Sequence, residues 1–448
     1  MTSCGTYKPY QRPEVQTDGL FGEEYETTDT LSAGDIRWQE FFTDPCLQQL
    51  IGQGLRQNTD LQIAHLRIRQ AEAALLTSRL AYLPSLHLAP EGSLASFDRS
   101  APSKTYTLPV AASWEIDVFG KLTNNRKRSR AAYLQSQEYR QAVRTQLIAG
   151  ISNLYYTLLM LDKQYEISEH TAAAWRESVE TMRALKEAGM TTEAGVAQTE
   201  GNYYAIEASL HDLKQQISEV ENSLALLLGE SPHTIGRGKL DEQEFPAELT
   251  TGVPLRLLAN RPDVRSAELS LIQAHYTTNA ARSALYPAVN LSGLAGWTNS
   301  AGSYIVNPGK LLLTATASLT QPIFNRGLNL AQVKISKAQQ EEAALSFQQT
   351  LLNAGAEVND ALTQYQTARD KQELRVRQIH SLENALESTE LLMTHGSTTY
   401  LEILTARQSL LSAQLAGVAD RFSEIQGMIS LYHALGGGRE LPEDSNEE

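Results

Sequence analysis

The sequence predicts a mainly α-helical protein with a small β part, built as two tandem helix-β-β-helix repeats. Three observations lead to this fold class: ordered internal matches, four segments in which apolar and polar residues alternate, and long proline-free stretches with helical spacing. The chain has 448 residues, of which 42% are hydrophobic and 20% charged. This composition is that of a folded chain with a sizeable core and not of a disordered one.

Internal matches predict the duplication. Ala81-Tyr-Leu-Pro84 recurs as Ala284-Leu-Tyr-Pro287, 203 residues later. Further along the chain, Gly189-Met-Thr-Thr192 recurs as Gly396-Ser-Thr-Thr399, 207 residues later. Chance matches would not keep their order over such a distance, so we expect one ancestral unit of about 205 residues with small insertions.

The matches divide the chain into five predicted parts. Residues 1–37 form an N-terminal extension, 38–229 repeat 1, 230–262 a connector, 263–436 repeat 2, and 437–448 an acidic tail. The connector is rich in proline and glycine, which favours non-helical chain.

Each repeat is predicted to contain two amphipathic strands, because apolar residues recur at every second position. In repeat 1 the strands cover about 85–97 and 105–119, and in repeat 2 about 288–299 and 311–324. The clearest alternation begins at Tyr106 and continues through seven apolar positions. We expect no further strands.

The rest of each repeat is predicted to be helical, with apolar residues at the three- and four-residue steps of packed long helices. The proline-free stretches 121–187 and 326–393 would each form a helix of roughly 100 Å at the standard helical rise. Shorter helices are expected over 46–81 and 194–228.

Composition and missing motifs exclude several functions. The formal net charge of −14 argues against a general nucleic-acid binder, which needs a basic face. Two cysteines exclude a disulfide scaffold and a thiolate zinc site. No signature of a metalloprotease, serine hydrolase or phosphate-binding loop occurs. We therefore expect that the protein is not an enzyme and that it binds no metal or cofactor. No apolar run is long enough for a transmembrane helix.

Four amphipathic strands imply an assembly, since about eight strands are the minimum for a closed membrane barrel. A cyclic homotrimer would supply twelve strands in one barrel, with the helices extending from it as a tube. Closure would also remove every open strand edge, as a membrane requires. A soluble sandwich or a soluble helical scaffold with a small sheet is the alternative.

Five short motifs, in order along nearly the whole chain, resemble those of the TolC-like outer membrane efflux proteins, in particular their lipoprotein branch. The motifs are Trp38-Gln-Glu-Phe-Phe-Thr-Asp-Pro45, Asn58-Thr-Asp-Leu61, Ala112-Ser-Trp-Glu-Ile-Asp-Val-Phe-Gly120, Arg261-Pro-Asp-Val-Arg-Ser-Ala-Glu268 and Thr320-Gln-Pro-Ile-Phe324. Each motif is weak alone, and together they are specific.

The resemblance implies a homotrimeric twelve-stranded β-barrel in the outer membrane of a Gram-negative bacterium, continuous with a periplasmic α-helical barrel. Such a channel passively exports small molecules that an inner-membrane RND-type pump and a periplasmic adaptor (membrane fusion) protein deliver. Two alternatives remain: the exit duct of a type I secretion system, and a structural tether across the periplasm without conductance. The sequence does not identify the exported substrate.

Cys4 followed by Gly5 is the predicted lipidation site, as the first residue of a mature lipoprotein. The family motif usually has leucine three residues before this cysteine, where Met1 stands here. The alternative is an unmodified thiol in a terminal segment.

The two glycine-containing turns are the predicted far tips of the long helices. In the family these tips contact the adaptor and narrow the pore. The tip residues are Gly189, Met190, Thr191, Thr192, Gly396, Ser397, Thr398 and Thr399.

The family carries acidic residues just after the second turn, and the alignment places Glu402 at one such position. The second position, three residues on, is Thr405 here. Three copies of Glu402 would therefore form a ring of three carboxylates at the entrance. The alternative is that Glu402 is a structural ion-pair partner, for example of Arg407.

The barrel strands should present their apolar face to lipid, so Glu91, Glu115 and Asp117 are predicted to line the lumen. The basic run Arg126-Lys-Arg-Ser-Arg130 follows the second strand. It is either a solvated helical turn or a contact with lipid phosphates.

Overall fold

The computed structural model describes residues 7–13, 36–98, 100–245, 261–298, 310–395 and 399–439. The expectation of a mainly helical protein is confirmed. The elements in chain order are α1 (Trp38–Phe41), α2 (Pro45–Gln57), α3 (Thr59–Leu80), β1 (Ser85–Leu88), β2 (Glu91–Ala95), β3 (Ser103–Ile116), α4 (Lys121–Glu187), α5 (Glu193–Leu228), a short 3₁₀ turn (Leu240–Glu242), α6 (Pro262–Ser283), β4 (Ala288–Thr298), β5 (Lys310–Thr320), α7 (Leu328–Thr394) and α8 (Tyr400–Ala434). Of these helices, none has both the length and the apolar character needed to cross a membrane.

The chain divides into two compact units. Unit 1 comprises residues 1–16, 65–139 and 263–350, and therefore contains the whole sheet. Unit 2 comprises residues 17–64, 140–262 and 351–448, and its described residues are helical apart from short connecting segments.

The sheet of unit 1 is antiparallel throughout. Both β1 and β2 pair with one side of β3, β4 pairs with the other side of β3, and β5 pairs with β4. The pairing of β3 with β4 joins the strands of the two predicted repeats in one sheet.

The single strand expected over 85–97 is wrong in detail, because the structure has two strands there, β1 and β2. They share one register against β3, since the Ala89 N–H still donates to the Pro109 carbonyl at 3.2 Å between them. Pro109 has no N–H to donate back to the Ala89 carbonyl, so one ladder hydrogen bond is missing at this point, whereas Pro90 lies in a non-hydrogen-bonded pair and its nitrogen faces away from β3. The strand is therefore interrupted by a missing hydrogen-bond donor, and its register against β3 is the same on both sides of the break.

Two other strands end earlier than expected, at Ile116 and Thr320. Gly120 and Gly327, with φ of 73° and 78°, then turn the chain into α4 and α7. A positive φ is a conformation that glycine adopts at little cost.

The single helix expected over 46–81 is also wrong, because it is broken into α2 and α3 at Asn58. The Asn58 Oδ1 accepts from the N–H of Leu61 at 3.1 Å, as a helix N-cap does. Its Nδ2 donates to the Leu227 carbonyl of α5 at 3.0 Å. The side chain thus starts α3 and joins it to α5.

The main core of unit 2 forms where α1, α2, α4, α5 and α8 pack together, and it is rich in aromatic rings. Phe41 and Tyr432 stack with centroids 4.2 Å apart. A buried polar group completes this core: the Asp44 carboxylate accepts from the Tyr155 hydroxyl at 2.6 Å and from Gln243 Nε2 at 2.9 Å. Burial raises the pKa of Tyr155, so this hydroxyl stays a donor.

Candidate functional site

The sheet of unit 1 has two chemically different faces. Residues directly opposite each other in antiparallel strands lie on the same face. The apolar face carries Leu86, Leu88, Tyr106, Leu108, Val110, Ala112, Trp114, Ile116, Val289, Leu291, Gly293, Ala295, Trp297, Leu311, Leu313, Ala315, Ala317 and Leu319. The other face is mostly polar, with Ser85, His87, Glu91, Ser93, Thr105, Thr107, Ser113, Glu115, Asn290, Ser292, Thr298, Thr314, Thr316, Ser318 and Thr320.

Much of this apolar face is accessible in the single chain. Leu313 is 67% exposed and Leu319 69% exposed, both on the edge strand β5. Large apolar side chains in contiguous exposed positions mark an interaction with lipid or with another protein surface. We therefore expect this face of unit 1 to contact lipid or another protein surface.

The predicted lumen residues lie at or beside the polar face. Glu91 stands opposite Thr107, and Glu115 stands opposite Asn290. Glu115 pairs with Lys121 Nζ at 2.8 Å. Their position relative to a channel stays a prediction.

Asp117 lies just beyond β3 and caps α4. Its carboxylate accepts from the N–H groups of Leu122 and Thr123, at 2.9 and 2.8 Å, and from the Thr123 hydroxyl. A carboxylate at the positive end of a helix is stabilising. The structure therefore gives this residue a structural contact that the strand pattern did not suggest.

The first predicted tip, between α4 and α5, is a tight helix-to-helix turn. Gly189 has a φ of 73° and donates to the Lys186 carbonyl, while Met190 donates to the Leu185 carbonyl at 2.8 Å. These two bonds form a Schellman motif. Thr192 then caps α5 by accepting from the Gly195 N–H. Met190 is exposed, as a contact residue would be.

The second predicted tip lies partly outside the described residues, which do not include Gly396, Ser397 and Thr398. Thr399 precedes α8, and Glu402 lies in the first turn of that helix, where its N–H donates to the Thr399 carbonyl at 3.1 Å. The Thr405 hydroxyl donates to the Leu401 carbonyl of its own helix. The entrance role of Glu402 and Thr405 stays a prediction.

Arg407, one and a half turns further along α8, joins three helices of unit 2. One guanidinium nitrogen donates to the Ala174 carbonyl at 2.9 Å and to the Ser178 hydroxyl at 2.8 Å, both in α4. Another donates to Glu390 of α7 at 2.9 Å. Sequence reasoning named Arg407 only as a partner of Glu402, since nothing local indicates a bond to a helix more than 200 residues away.

Residues 7–13 pack against α6 and α7 within unit 1, while Cys4 lies outside the described residues. Arg12 pairs with Glu268 at 3.1 Å and lies over the Phe347 ring. The Lys8 carbonyl is 3.2 Å from the His275 ring nitrogen. Burial lowers the pKa of His275, and Arg282 and Lys127 lower it further. Burial also raises the pKa of Tyr10 to about 12. This segment, which begins three residues after Cys4 in the sequence, is thus held by specific contacts.

No cluster of metal-ligating side chains was found within the described ranges. The features that remain as candidates for function are the amphipathic sheet, the two tips and the charged groups around them. None of these resembles a catalytic centre.

The helix-and-sheet fold matches that of outer-membrane channel proteins of known structure. The chain is similar to the crystal structure of the open state of the outer membrane channel MtrE from Neisseria gonorrhoeae, with a TM-score of 0.87 and 26% identity over 96% of this chain and 98% of that one. A family model described as "Outer membrane efflux protein" matches residues 50–230 and 253–437, so the chain belongs to this family.

Two further relatives agree with this assignment. The cation efflux system protein CusC of Escherichia coli K12 is 27% identical over 98% of this chain and 97% of that protein. A crystal structure of CusC matches with a TM-score of 0.86 and 26% identity over 96% of this chain and 99% of that one. The probable outer membrane lipoprotein SilC of Salmonella typhimurium is 27% identical over 98% of this chain and 96% of that protein.

Proposed function

We propose that the protein is the outer-membrane exit duct of a tripartite efflux pump and that it conducts small molecules passively. The observation that carries this function is the exposed, continuous apolar face of the sheet in a chain that belongs to the outer membrane efflux protein family. The sheet lies in the outer membrane, and the helices extend into the periplasm. A periplasmic adaptor protein and an inner-membrane RND-type pump deliver the substrate.

The barrel is a cyclic trimer of this chain. Strand direction alternates across the four sheet positions β1/β2, β3, β4 and β5. The β5 edge of one chain and the β1/β2 edge of the next are therefore antiparallel, and three chains supply twelve strand positions. Closure places the apolar face toward lipid and directs Glu91 and Glu115 toward a water-filled lumen.

Two tandem repeats account for the fold of each chain. The helices α3 and α6 begin 203 residues apart, as do β1 and β4, while α4 and α7, and likewise α5 and α8, begin 207 residues apart. Glycines with positive φ stand at matching places in both halves, Gly120 with Gly327 and Gly229 with Gly436. A duplicated unit is the simplest origin of this regularity.

The tips of the long helices form the periplasmic entrance and contact the adaptor. Glu402 belongs to the first turn of α8, and Arg407 makes its ion pair with Glu390. Three copies of the Glu402 carboxylate around a narrow opening would attract cations and repel anions. One carboxylate per chain makes this a weaker cation trap than a ring with acidic residues at both family positions.

Planar-bilayer recordings of the purified protein test the duct and its entrance together. Wild type should conduct with a preference for cations, and Glu402→Gln should lower this preference and weaken block by multivalent cations. Glu383→Gln, an exposed carboxylate in α7, is the control and should leave selectivity unchanged. A wild-type protein that inserts without conducting is a tether and not a duct. Unchanged selectivity in Glu402→Gln would place the filter elsewhere.

Lipidation of Cys4 anchors the N-terminus in the same membrane. The likeness to SilC, a probable outer membrane lipoprotein, and the packing of residues 7–13 against α6 support this proposal. Mass spectrometry of protein from native membranes should find a diacylglyceryl and an acyl group on Cys4. An N-terminus that begins upstream of Cys4 without modification would contradict it.

A further inference from the structure

The four places where strands and helices meet all lie at one end of the sheet in unit 1. In the register, Ser85 pairs with Ser113, Ile116 with Val289, and Ala288 with Thr320. The starts of β1 and β4 and the ends of β3 and β5 are therefore neighbours. The four adjoining helix ends are the C-termini of α3 and α6 and the N-termini of α4 and α7.

Direct contacts join these junctions. The hydroxyl groups of Tyr82 and Thr123 are 3.0 Å apart, which links the α3 and α4 junctions. Asn329 Nδ2 donates to the Ala284 carbonyl at 3.0 Å, which links those of α6 and α7. The segments therefore form one continuous region at this end of the sheet.

This region is strongly basic although the chain as a whole has a net charge of −14. The segments 77–84, 120–130, 277–287 and 325–337 contain ten basic residues and no acidic one. We call the ten the basic cluster: Arg79, Lys121, Arg126, Lys127, Arg128, Arg130, Arg282, Arg326, Lys334 and Lys337. All are exposed except Arg282, which is half-buried.

Among the residues that the structure describes, the carboxylates next to the basic cluster in the chain neutralise only one of its members. Glu115 pairs with Lys121, and Asp117 is bound by the N-terminus of α4. Arg126 lies over the Tyr82 ring at 5.4 Å and Lys127 over the Tyr276 ring at 5.3 Å. These two side chains are thus held in place by aromatic faces.

Aromatic and apolar side chains lie in the same region. Phe119 and Tyr286 stack with centroids 4.9 Å apart. Ile323 and Phe324, just after β5, are 97% and 85% exposed. Aromatic rings combined with long basic side chains are typical of the zone between lipid hydrocarbon and water.

We propose that the basic cluster binds the phosphate groups of anionic phospholipids in the leaflet at this end of the sheet. The inference rests on the proposed function, which places the adjoining apolar face in the bilayer. Basic residues beside an apolar membrane-spanning surface lie at the depth of the headgroups, where anionic lipid attracts each cation. Three copies of the chain would surround the barrel with such cations and fix its depth in the membrane.

Selective lipid retention by the trimer in detergent tests the proposal. The protein is equilibrated with mixed micelles of phosphatidylglycerol and phosphatidylcholine in equal amounts, isolated again by size exclusion, and its bound lipid is measured by mass spectrometry. Wild type should retain several-fold more phosphatidylglycerol than phosphatidylcholine at about 0.05 M salt, and little excess at about 1 M, where charges are screened within about 3 Å.

A matched pair of triple variants identifies the cluster as the binding surface. R128Q/R130Q/K334Q removes three exposed charges of the basic cluster and should lower the phosphatidylglycerol excess by at least half. R56Q/R369Q/K371Q removes three exposed charges of unit 2 and should leave it unchanged. Equal losses in both variants, or no excess in wild type, would overturn the proposal, and the second result would leave an acidic protein surface as the occupant.

Two further arms separate the remaining possibilities. If inorganic phosphate binds to the lipid-free trimer and phosphatidylglycerol is not retained, the cluster is a site for free phosphate and the lipid assignment is wrong. Conductance is measured on the same preparations. Wild type that conducts without retaining phosphatidylglycerol contradicts this inference alone, whereas wild type that neither inserts nor conducts contradicts the proposed function.

Discussion

Asp117 joins the end of β3 to the start of α4 through three hydrogen bonds to Leu122 and Thr123. Replacement by alanine removes an N-cap, which costs about 1 kcal/mol of stability. We expect Asp117→Ala to lower the thermal unfolding midpoint of the protein, whereas Asp117→Asn, which keeps an acceptor, should have a midpoint close to that of wild type.

The control for this prediction is Glu115→Gln, which loses only a partly exposed ion pair with Lys121. Such pairs contribute about 0–1 kcal/mol. If the two carboxylates have equal effects on stability, the capping contacts of Asp117 are not what holds the strand-to-helix junction.

His275 gives the N-terminal segment a predicted pH dependence. Its folded-state pKa lies below the ordinary value because the ring is buried and faces Arg282 and Lys127. Neutral His275 contributes its full share of the free energy of unfolding above about pH 6.5, the ordinary pKa of histidine. This contribution is lost as the pH falls below that value, because the unfolded state then binds the proton more readily than the folded state.

The thermal unfolding midpoint should therefore fall less between neutral and mildly acidic pH in His275→Gln than in wild type. The difference between the two slopes isolates this residue from the other titrating groups. Identical slopes would mean that the ring is not buried against the Lys8 segment in solution.

At the scale of single elements, Gly296 allows β3 and β4 to approach each other. A Cβ atom at this position would contact the Leu108 carbonyl oxygen and lie 2.5 Å from the Pro109 Cα, both backbone atoms of β3. Gly296→Ala should therefore force the two strands apart and reduce the yield of folded trimer, measured by heat-modifiable migration in gels. Gly201→Ala, in the open on α5, meets nothing within 4 Å and should be neutral or stabilising.

Arg407 holds α8 against α4 and α7. Arg407→Gln loses hydrogen bonds between a charged group and the Ala174 carbonyl, Ser178 and Glu390. We expect a loss of about 1–3 kcal/mol in stability and noisier, larger conductance as the helix ends separate. Arg407→Lys should recover only part of the lost stability, because the lysine ammonium group lacks the planar guanidinium that donates to several acceptors at once.

The matched control is Arg377→Gln, whose ion pair with Glu373 stays within one turn of α7 and is exposed at both ends. It should change stability by no more than about 0.5 kcal/mol. A control as damaging as Arg407→Gln would show that any loss of charge from these helices has this effect.

At the scale of the whole molecule, the exposed apolar face and the open β5 edge predict that the single chain is not the stable species. Light scattering in detergent should give a protein mass of about 148 kDa, three times the 49.4 kDa of one chain. The protein should precipitate when detergent is removed without lipid. A monomer that stays in solution without detergent and keeps its strand content would exclude the trimeric barrel.

The sequence by itself determined the mainly helical fold class, the location of the amphipathic strands and the family. These features depend on side-chain period, glycine turns and capping residues, which act between positions close together in the chain. The Schellman turn at Gly189 belongs to this class, because all its bonds lie within six residues.

Only the tertiary structure decided the break at Pro90, the partners of Arg407 and the gathering of four basic segments at one end of the sheet. Each depends on residues far apart in sequence that become neighbours through strand register or helix packing. The strand is interrupted next to Pro90 because Pro109 across the ladder lacks the N–H that would bond the Ala89 carbonyl, and Arg407 reaches α4 because α8 packs beside it. The physical reason is that local periodicity fixes the face on which a side chain lies, whereas register and packing choose what stands opposite.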